Sequence, residues 1–352
     1  MNKITNLNKV LFINFGGIGD EILFFPTLQT FKAHYPNTSI TLLVEPRSAG
    51  CKELTDKIDQ VIKYDIKNSN KIISFIRLLG IIANNRFDAV ISSGSNKFIG
   101  VLLFLSRVKI RIGYNSGWLS RKLLSNSITL NKQQYATNMY HDLLKGLGID
   151  SDAPLPEIIL PEEVILKGKI LLQPLDKPLL LIHPGVSKLS IKKNIIKGWP
   201  DQKWAELIIQ LLESGLYKVG LCGGPDDDKS IENIRNYLAK KELDKTNYID
   251  LYGKTKSLLE LAAIIKLSDL LLCVDSAPMH VAVGVKTKIV AIFGPTDEKK
   301  LLPENKDFIA VRNTTLNCRP CLWDKRNYVC DQPSCLDISV QQMLDVINAL
   351  QI

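Results

Sequence analysis

The chain has 352 residues, 45% hydrophobic and 23% charged, with a net charge of +9. That length exceeds what one hydrophobic core usually serves and implies two domains. The longest apolar run, Phe98 to Ser106, is too short to cross a bilayer as a helix. The excess charge is one-sided: residues 1–150 hold 19 Lys and Arg against 10 Asp and Glu, while residues 151–352 hold 26 of each. Such a surface is either a solvated basic face or one aimed at an anionic partner, an acidic lipid or a phosphorylated glycolipid. Nucleic acid is excluded, because no DNA- or RNA-binding motif accompanies the charge. No apolar signal segment precedes the first strand, so a soluble cytoplasmic protein is expected.

Taken in chain order, Val10–Asn14 is a short buried strand leading into Gly16-Gly17-Ile18-Gly19-Asp20-Glu21 and a helix bearing Ile22, Leu23, Phe25, Leu28 and Phe31. A glycine-rich turn from strand to helix lets backbone approach a ligand closely. Gly17 and Gly19 could open a dinucleotide fingerprint, but Ile22 occupies the third glycine position. No Gly-Lys-Ser/Thr follows, which excludes a P-loop. Asp20 is left at a helix start, either as a cap or as an exposed carboxylate for acid–base work. Strands at Ser39–Val44, Phe87–Ser92 and Lys109–Gly113 follow. Between them a helix spans Lys71 to Asn84, with Ile72, Phe75, Ile76, Leu79 and Ile82 on one face. Arg111, Arg121 and Lys122 flank the segment Gly113 to Trp118 and are candidates for phosphate or carboxylate contacts. The polar, proline-bearing stretch from Asp150 to Pro161 reads as a boundary between domains 1–160 and 161–352.

A second round of strands runs through Pro178–His183, Tyr217–Cys222, Tyr248–Leu251, Asp269–Val274 and Lys288–Phe293. Two successive βαβ arrays imply two doubly wound sheets with ligands at the carboxyl ends of the strands. After His183 comes a lysine-rich loop, with Lys188, Lys192, Lys193 and Lys197, that suits a diphosphate. After Cys222, Gly223-Gly224-Pro225-Asp226 is followed by Asp227 and Asp228, acids that also favour a helix N-terminus. Asp275 ends the fourth strand; Ser276 is placed as N-cap, Pro278 in the first turn, and Gly284 at the helix end. The next strand closes on Gly294-Pro295-Thr296. Two strand ends, a helix N-terminus and a carboxylate meet there, which makes an anion-and-sugar site. Cys51, Cys222 and Cys273 are isolated and read as buried small hydrophobes. Cys318, Cys321, Cys330 and Cys335 cluster as C-x2-C-x8-C-x4-C, a structural tetrahedral zinc or iron site or a set of unligated thiols. They precede a last helix, Val340 to Leu350.

The Asp275-Ser276-x-x-x-His280 order, its small-residue helix and the strand ending Gly-Pro-Thr resemble glycosyltransferase family 9, the heptosyltransferases of lipopolysaccharide core synthesis. Gly17-Ile18-Gly19-Asp20 and Lys197-Gly198-Trp199-Pro200 resemble two further family motifs, although the loop before Lys197 is longer here. The resemblance implies a GT-B α/β architecture, two doubly wound Rossmann-like domains facing a central cleft. It implies inverting glycosyl transfer with Asp20 as general base and no cofactor for catalysis. The N-terminal domain would bind the acceptor through Gly17, Gly19, Arg111, Arg121 and Lys122. The C-terminal domain would bind the nucleotide-sugar donor through Lys197, Asp226, Asp275, Ser276, Ala277, Met279, His280, Gly294 and Thr296, with Lys197 neutralising the phosphates. ADP-heptose is the implied donor and an anionic glycolipid of the lipopolysaccharide core the implied acceptor, reached by peripheral contact at the inner face of the inner membrane. Similar cysteine-bearing tails occur in the family, and relatives that glycosylate autotransporters hold iron there. A transferase of another nucleotide sugar, to a polysaccharide or a protein, would keep every motif. A non-catalytic sugar-nucleotide-binding protein would keep the fold but not need Asp20.

Overall fold

Runs of Val, Ile and Leu without polar alternation make strands that are covered on both faces, and the chain uses them twice. In a computed structural model, residues 6–66, 70–322, 330 and 333–350 are described. They group into two compact units divided between Ile159 and Leu160. The first holds β1 (Lys9–Ile13), β2 (Ser39–Val44), β3 (Gln60–Lys63), β4 (Ala89–Ser92), β5 (Ile110–Tyr114) and β6 (Asn126–Ile128), in the order β3-β2-β1-β4-β5-β6. The second holds β7 (Leu179–His183), β8 (Lys218–Leu221), β9 (Tyr248–Asp250), β10 (Leu270–Val274), β11 (Lys288–Phe293) and β12 (Phe308–Arg312), in the order β12-β11-β10-β7-β8-β9. Every pairing is parallel. Phe12 lies opposite Leu42 and Ile91, and Leu272 opposite Ile182 and Val290. The two sheets share one winding order. In each, the chain reverses direction across the sheet once, between β1 and β4 and between β7 and β10. A crevice opens at the carboxyl ends of the strands at such a reversal.

The connecting helices of the first unit are α1 (Ile18–His34), α2 (Lys71–Asn84), α3 (Lys97–Leu105), α4 (Trp118–Leu123) and α5 (Ala136–His141). Right-handed crossovers put α2, α3 and α4 on one face of the sheet and α1 on the other. The contacts agree: α3 packs against α2 and α4, and α1 against α5. The second unit adds α6 (Glu162–Leu172), α7 (Lys188–Lys192), α8 (Asp201–Glu213), α9 (Asp228–Leu238), α10 (Leu258–Lys266), α11 (Ala277–Val285), α12 (Glu298–Leu301) and α13 (Val340–Ala349). Its core sets Trp199 edge-on to Trp204, centroids 4.9 Å apart, among residues of α8, α9, α13 and the central strands.

Three strands were not expected from the sequence: β3, β6 and β12. All are sheet edges, where one side needs no strand partner and a long apolar run is not required. On α2 the anticipated core face is only half right. Ser74, Leu78 and Ile82 are buried, whereas Ile72 and Ile76 point to solvent. The helix after Asp275 does not stop at Gly284: it continues to Val285, and Lys286 terminates it in the left-handed conformation at φ 64°.

Candidate functional site

In the first unit the β1–β4 crevice is built around Asp20. Gly17 is the N-cap of α1, so Asp20 is the third helical residue rather than the cap. Its Oδ2 accepts the Gly17 amide at 2.7 Å, and its Oδ1 accepts the Tyr140 hydroxyl at 3.2 Å. The backbone below is pinned as well: Asn14 Nδ2 donates to the Asp20 carbonyl at 3.3 Å, and Ser93 at the end of β4 donates to Asn14 Oδ1 at 2.6 Å. A Cβ on Gly16 would lie 2.2 Å from Asp20 Cβ, so this glycine makes room for the carboxylate itself. The result is a half-exposed carboxylate, oriented by two donors. That is what a general base needs. Tyr140 lies 120 residues away in the chain, and no sequence pattern linked it to Asp20.

Beside Asp20, Glu21 is fully buried, and neither of its carboxyl oxygens has a hydrogen-bond partner. Burial first, then the neighbouring Asp20 charge, push it well above the usual carboxylate range. Burial thus favours the protonated form of Glu21 over its carboxylate. Gly17 and Gly19 lie in the opening turn of α1. The three cations expected near the acceptor are not gathered there. Arg111 is the second residue of β5, and its guanidinium donates to the carbonyls of Val108, Lys109 and Leu123. It thereby holds the end of α4, with Arg121 and Lys122, toward the amino end of the sheet.

In the second unit the β7–β10 crevice gathers residues distant in sequence. Asp275 follows β10 and is almost fully buried. Its Oδ2 accepts from Lys197 Nζ at 2.7 Å and from the Thr296 hydroxyl at 2.6 Å. Burial alone would push the Asp275 carboxyl up; the Lys197 ammonium, the Thr296 hydroxyl and His280 outweigh it and hold it below the usual range. Among the loop lysines, Lys197 is joined to Asp275. Lys188 instead donates through its amide to Asp226 and through Nζ to the Pro225 carbonyl, while Lys192 and Lys193 are exposed. Ser276 does occupy the N-cap position of α11, but its hydroxyl leans back to the Val274 carbonyl at 3.3 Å. The first-turn amides are thus left uncapped by a side chain, as an anion-binding helix end requires. Ala277 is half-exposed in this turn, whereas Met279 and His280 are buried beneath it.

The three acids after β8 divide their work. Asp226 is exposed and ties down the Lys188 loop. Asp227 is buried, accepts the Gly224 amide at 2.7 Å and lies 3.5 Å from His183 Nε2. Asp228 accepts the Tyr252 hydroxyl. Burial lowers the His183 pKa against the opposing pull of Asp227, so its ring is neutral at pH 7. A Cβ on Gly185 would come within 1.7 Å of Asp227 Oδ1, which makes glycine obligatory at the start of the lysine loop.

The C-terminal segment supports both partners of Asp275. Arg319 donates to the carbonyls of Gly294 and Thr296 at 2.8 and 3.1 Å and pairs with Glu298 at 3.0 Å. A Cβ on Gly294 would meet Leu336 at 2.9 Å, so this glycine is closed by the tail rather than open to a ligand. The Ile338 carbonyl accepts from Trp199 Nε1 at 3.0 Å and from Lys203 Nζ at 2.8 Å. Cys318, Cys321, Cys330 and Cys335 line one cavity of about 130 Å³ together with Arg319 and Pro295. Burial, then the company of the other cysteines, raises the thiols of Cys321 and Cys335. Among the described residues no three His, Cys, Asp or Glu side chains are drawn close enough to hold a metal ion.

With this geometry in view, the chain compares with known proteins as follows. It is 28% identical over 295 residues to lipopolysaccharide heptosyltransferase 3 of Escherichia coli, covering 79% of this chain and 81% of that protein. It superposes on a glycosyl transferase family 9 crystal structure from Veillonella parvula with a TM-score of 0.76 at 23% identity, covering 98% and 97% of the two chains. On the structure of E. coli ADP-heptose LPS heptosyltransferase II the TM-score is 0.72 at 21% identity, covering 97% and 98%. These likenesses place the paired doubly wound units in the GT-B fold class. Residues 75–330 match the profile of glycosyltransferase family 9 (heptosyltransferase), and the chain belongs to that family of glycosyltransferases.

Proposed function

We propose that this chain transfers a heptose from ADP-heptose to a sugar of the lipopolysaccharide core, with inversion at the anomeric carbon. The observation that carries the reading is the Lys197–Asp275–Thr296 cluster at the reversal point of the second sheet. Lys197 spends one of its three donors on Asp275, which leaves two for the phosphates of the donor. Positive charge and the uncapped amides of α11 then stabilise the departing diphosphate as its bond to the anomeric carbon breaks. Asp275 and its neighbours hold sugar hydroxyls. Asp20 takes the proton of the acceptor hydroxyl as that oxygen forms the new bond. The relatives' names support a heptose donor and a lipopolysaccharide acceptor. An acceptor of that kind is membrane-borne, which makes this a peripheral enzyme of the inner face of the inner membrane.

The four clustered cysteines are the chemical set for a structural zinc or iron in the tail. They line one cavity, where side-chain rotation would have to draw them together before they could hold an ion. Metal analysis of anaerobically purified protein tests that part, and a metal-free, fully active preparation would refute it. The function itself is tested by thermal shift against a panel of sugar nucleotides, followed by transfer assays with the best binder. Asp20→Asn should then lower transfer by about 10² or more while leaving donor affinity in place. Turnover within a few-fold of wild type would remove Asp20 from the mechanism and favour a binding protein.

A further inference from the structure

The whole net charge of this protein sits in one stretch. Residues 71–140 contain ten Lys and Arg and one acid, Asp88, a net of +9; the remainder of the chain is balanced. Asp88 lies just ahead of β4, where its carboxylate accepts the amides of Asn8 and Lys9. The same stretch supplies α2, α3 and α4, which the crossovers place side by side on one face of the first sheet. Gly100 of α3 lies so near α4 that a Cβ there would be 3.2 Å from Ser120 Cα, so this pair forms one continuous surface.

That surface is greasy where a water-facing surface should not be. Ile72 and Ile76 on α2 are 71% and 62% exposed, Phe98 on α3 is 59% exposed and Trp118 on α4 is 64% exposed. A surface helix normally confines its apolar residues to the core-facing stripe, and α2 and α3 carry them outward as well. The exposed aromatics are accompanied by cations: Lys97 Nζ lies 5.5 Å from the Phe98 ring, Lys122 Nζ 5.5 Å from Trp118 and the Arg111 guanidinium 5.7 Å from Phe104. None of the three helices contains an acid. Apolar tips with an unbroken basic rim complement an anionic phospholipid surface: the tips enter the acyl boundary while lysine and arginine meet the headgroups.

We propose that the α2–α3–α4 face of the first unit docks this enzyme on an anionic phospholipid bilayer. The inference deepens the reading of a membrane-borne acceptor and rests on it for its purpose. It also gives Arg121 and Lys122 a task at the headgroups rather than at the acceptor sugar. Bound to the bilayer, the enzyme searches for its acceptor in two dimensions.

The test uses the full chain and vesicles of phosphatidylethanolamine with or without phosphatidylglycerol. Flotation with the anionic vesicles should be strong at low salt and weak without phosphatidylglycerol, since each basic side chain near such a surface contributes about 1 kcal/mol. Ile76→Asp and Phe98→Asp should each lower the bound fraction about tenfold or more and leave the melting temperature unchanged, because both sites are exposed. Lys97→Glu should cut binding to anionic vesicles selectively. Trp118 fluorescence should be quenched by brominated acyl chains and the quench lost in Trp118→Phe. In transfer assays Ile76→Asp should raise KM for a bilayer-embedded acceptor and leave transfer to the acyl-free core oligosaccharide unchanged. Absence of vesicle binding, equal binding without phosphatidylglycerol, or an Ile76→Asp change that only dissociates a dimer would each overturn the docking proposal. Vesicle binding without transfer to either acceptor would instead sink the functional reading and leave the docking face standing.

Discussion

Lys197→Ala removes the cation from a carboxylate that the fold has taken almost wholly out of water. Asp275 is 4% exposed and Lys197 18%, so solvent cannot replace the lost ammonium. Removing one partner of a buried ion pair costs about 3–5 kcal/mol. The Thr296 hydroxyl remains on Asp275 and points to the lower end, about 3 kcal/mol, or roughly 150-fold in an unfolding equilibrium. The double variant Lys197→Met with Asp275→Asn removes both charges at similar volume and should recover most of that loss. On the proposed mechanism it should not recover affinity for nucleoside diphosphate, because the phosphates would still lack their cation. The pH dependence carries a sign. Asp275 has its pKa lowered in the fold, so its contribution is present above the unfolded value and is lost as pH falls through the folded one. Wild type and Lys197→Ala should therefore differ most at neutral pH and converge below about pH 4. Thermal melts and urea titrations of wild type, Lys197→Ala, Asp275→Asn and the double variant from pH 3 to neutrality, with calorimetry for the ligand, read every arm. Additive destabilisation with no recovery in the double variant would refute the ion-pair account of this crevice.

Glu21→Gln should flatten the alkaline side of the stability profile. Its carboxyl is pushed up by burial, so above about pH 4.5 the unfolded chain releases a proton that the fold retains, and stability falls with rising pH until the folded pKa is passed. Glutamine keeps the shape without that loss, which melting curves from pH 4.5 to 8.5 would show. Gly185→Ala forces a methyl onto the Asp227 carboxylate and should cost about 1–3 kcal/mol, with weaker nucleoside diphosphate binding by calorimetry. Activity should persist through an EDTA assay if, as proposed, Lys197 and the helix end carry the leaving-group charge; rapid loss restored by Mg²⁺ would contradict this. Tyr140→Phe should lower kcat severalfold with donor KM unchanged, since it removes one of the two donors that aim Asp20.

The sequence revealed most where burial leaves little choice. β2, β11 and α2 lie within the expected bounds, because Ser39-Ile-Thr-Leu-Leu-Val, Lys288-Ile-Val-Ala-Ile-Phe and the Lys71–Asn84 periodicity each admit few structures. The edge strands escaped detection: Asn126-Ser-Ile has no apolar run to find. Gly284 looked like a stop signal, yet it lies inside a helix buried along most of its length, where a small side chain serves packing. Asp20, Lys197, Asp275 and Thr296 were all visible as motif residues. Their pairings were not, since the Lys197–Asp275 contact spans 78 positions and Tyr140–Asp20 spans 120. Charge on a sequence carries no direction, and the Arg111 guanidinium bonds carbonyls at the amino end of its strand.

Both residues that grip Asp275 hang from the same C-terminal segment. Arg319 fastens the carbonyls on either side of Pro295 and so sets Thr296, while the Ile338 carbonyl receives Trp199, two residues beyond Lys197. The tail therefore acts as a splint laid across a fracture-prone joint: it supplies neither Lys197 nor Thr296, but it fixes the spacing between them. Shortening the chain after β12 would thus remove no side chain from the crevice and still let it spread. The contacts of Arg319 and Ile338 thus tie the tail to the neighbours of the carboxylate.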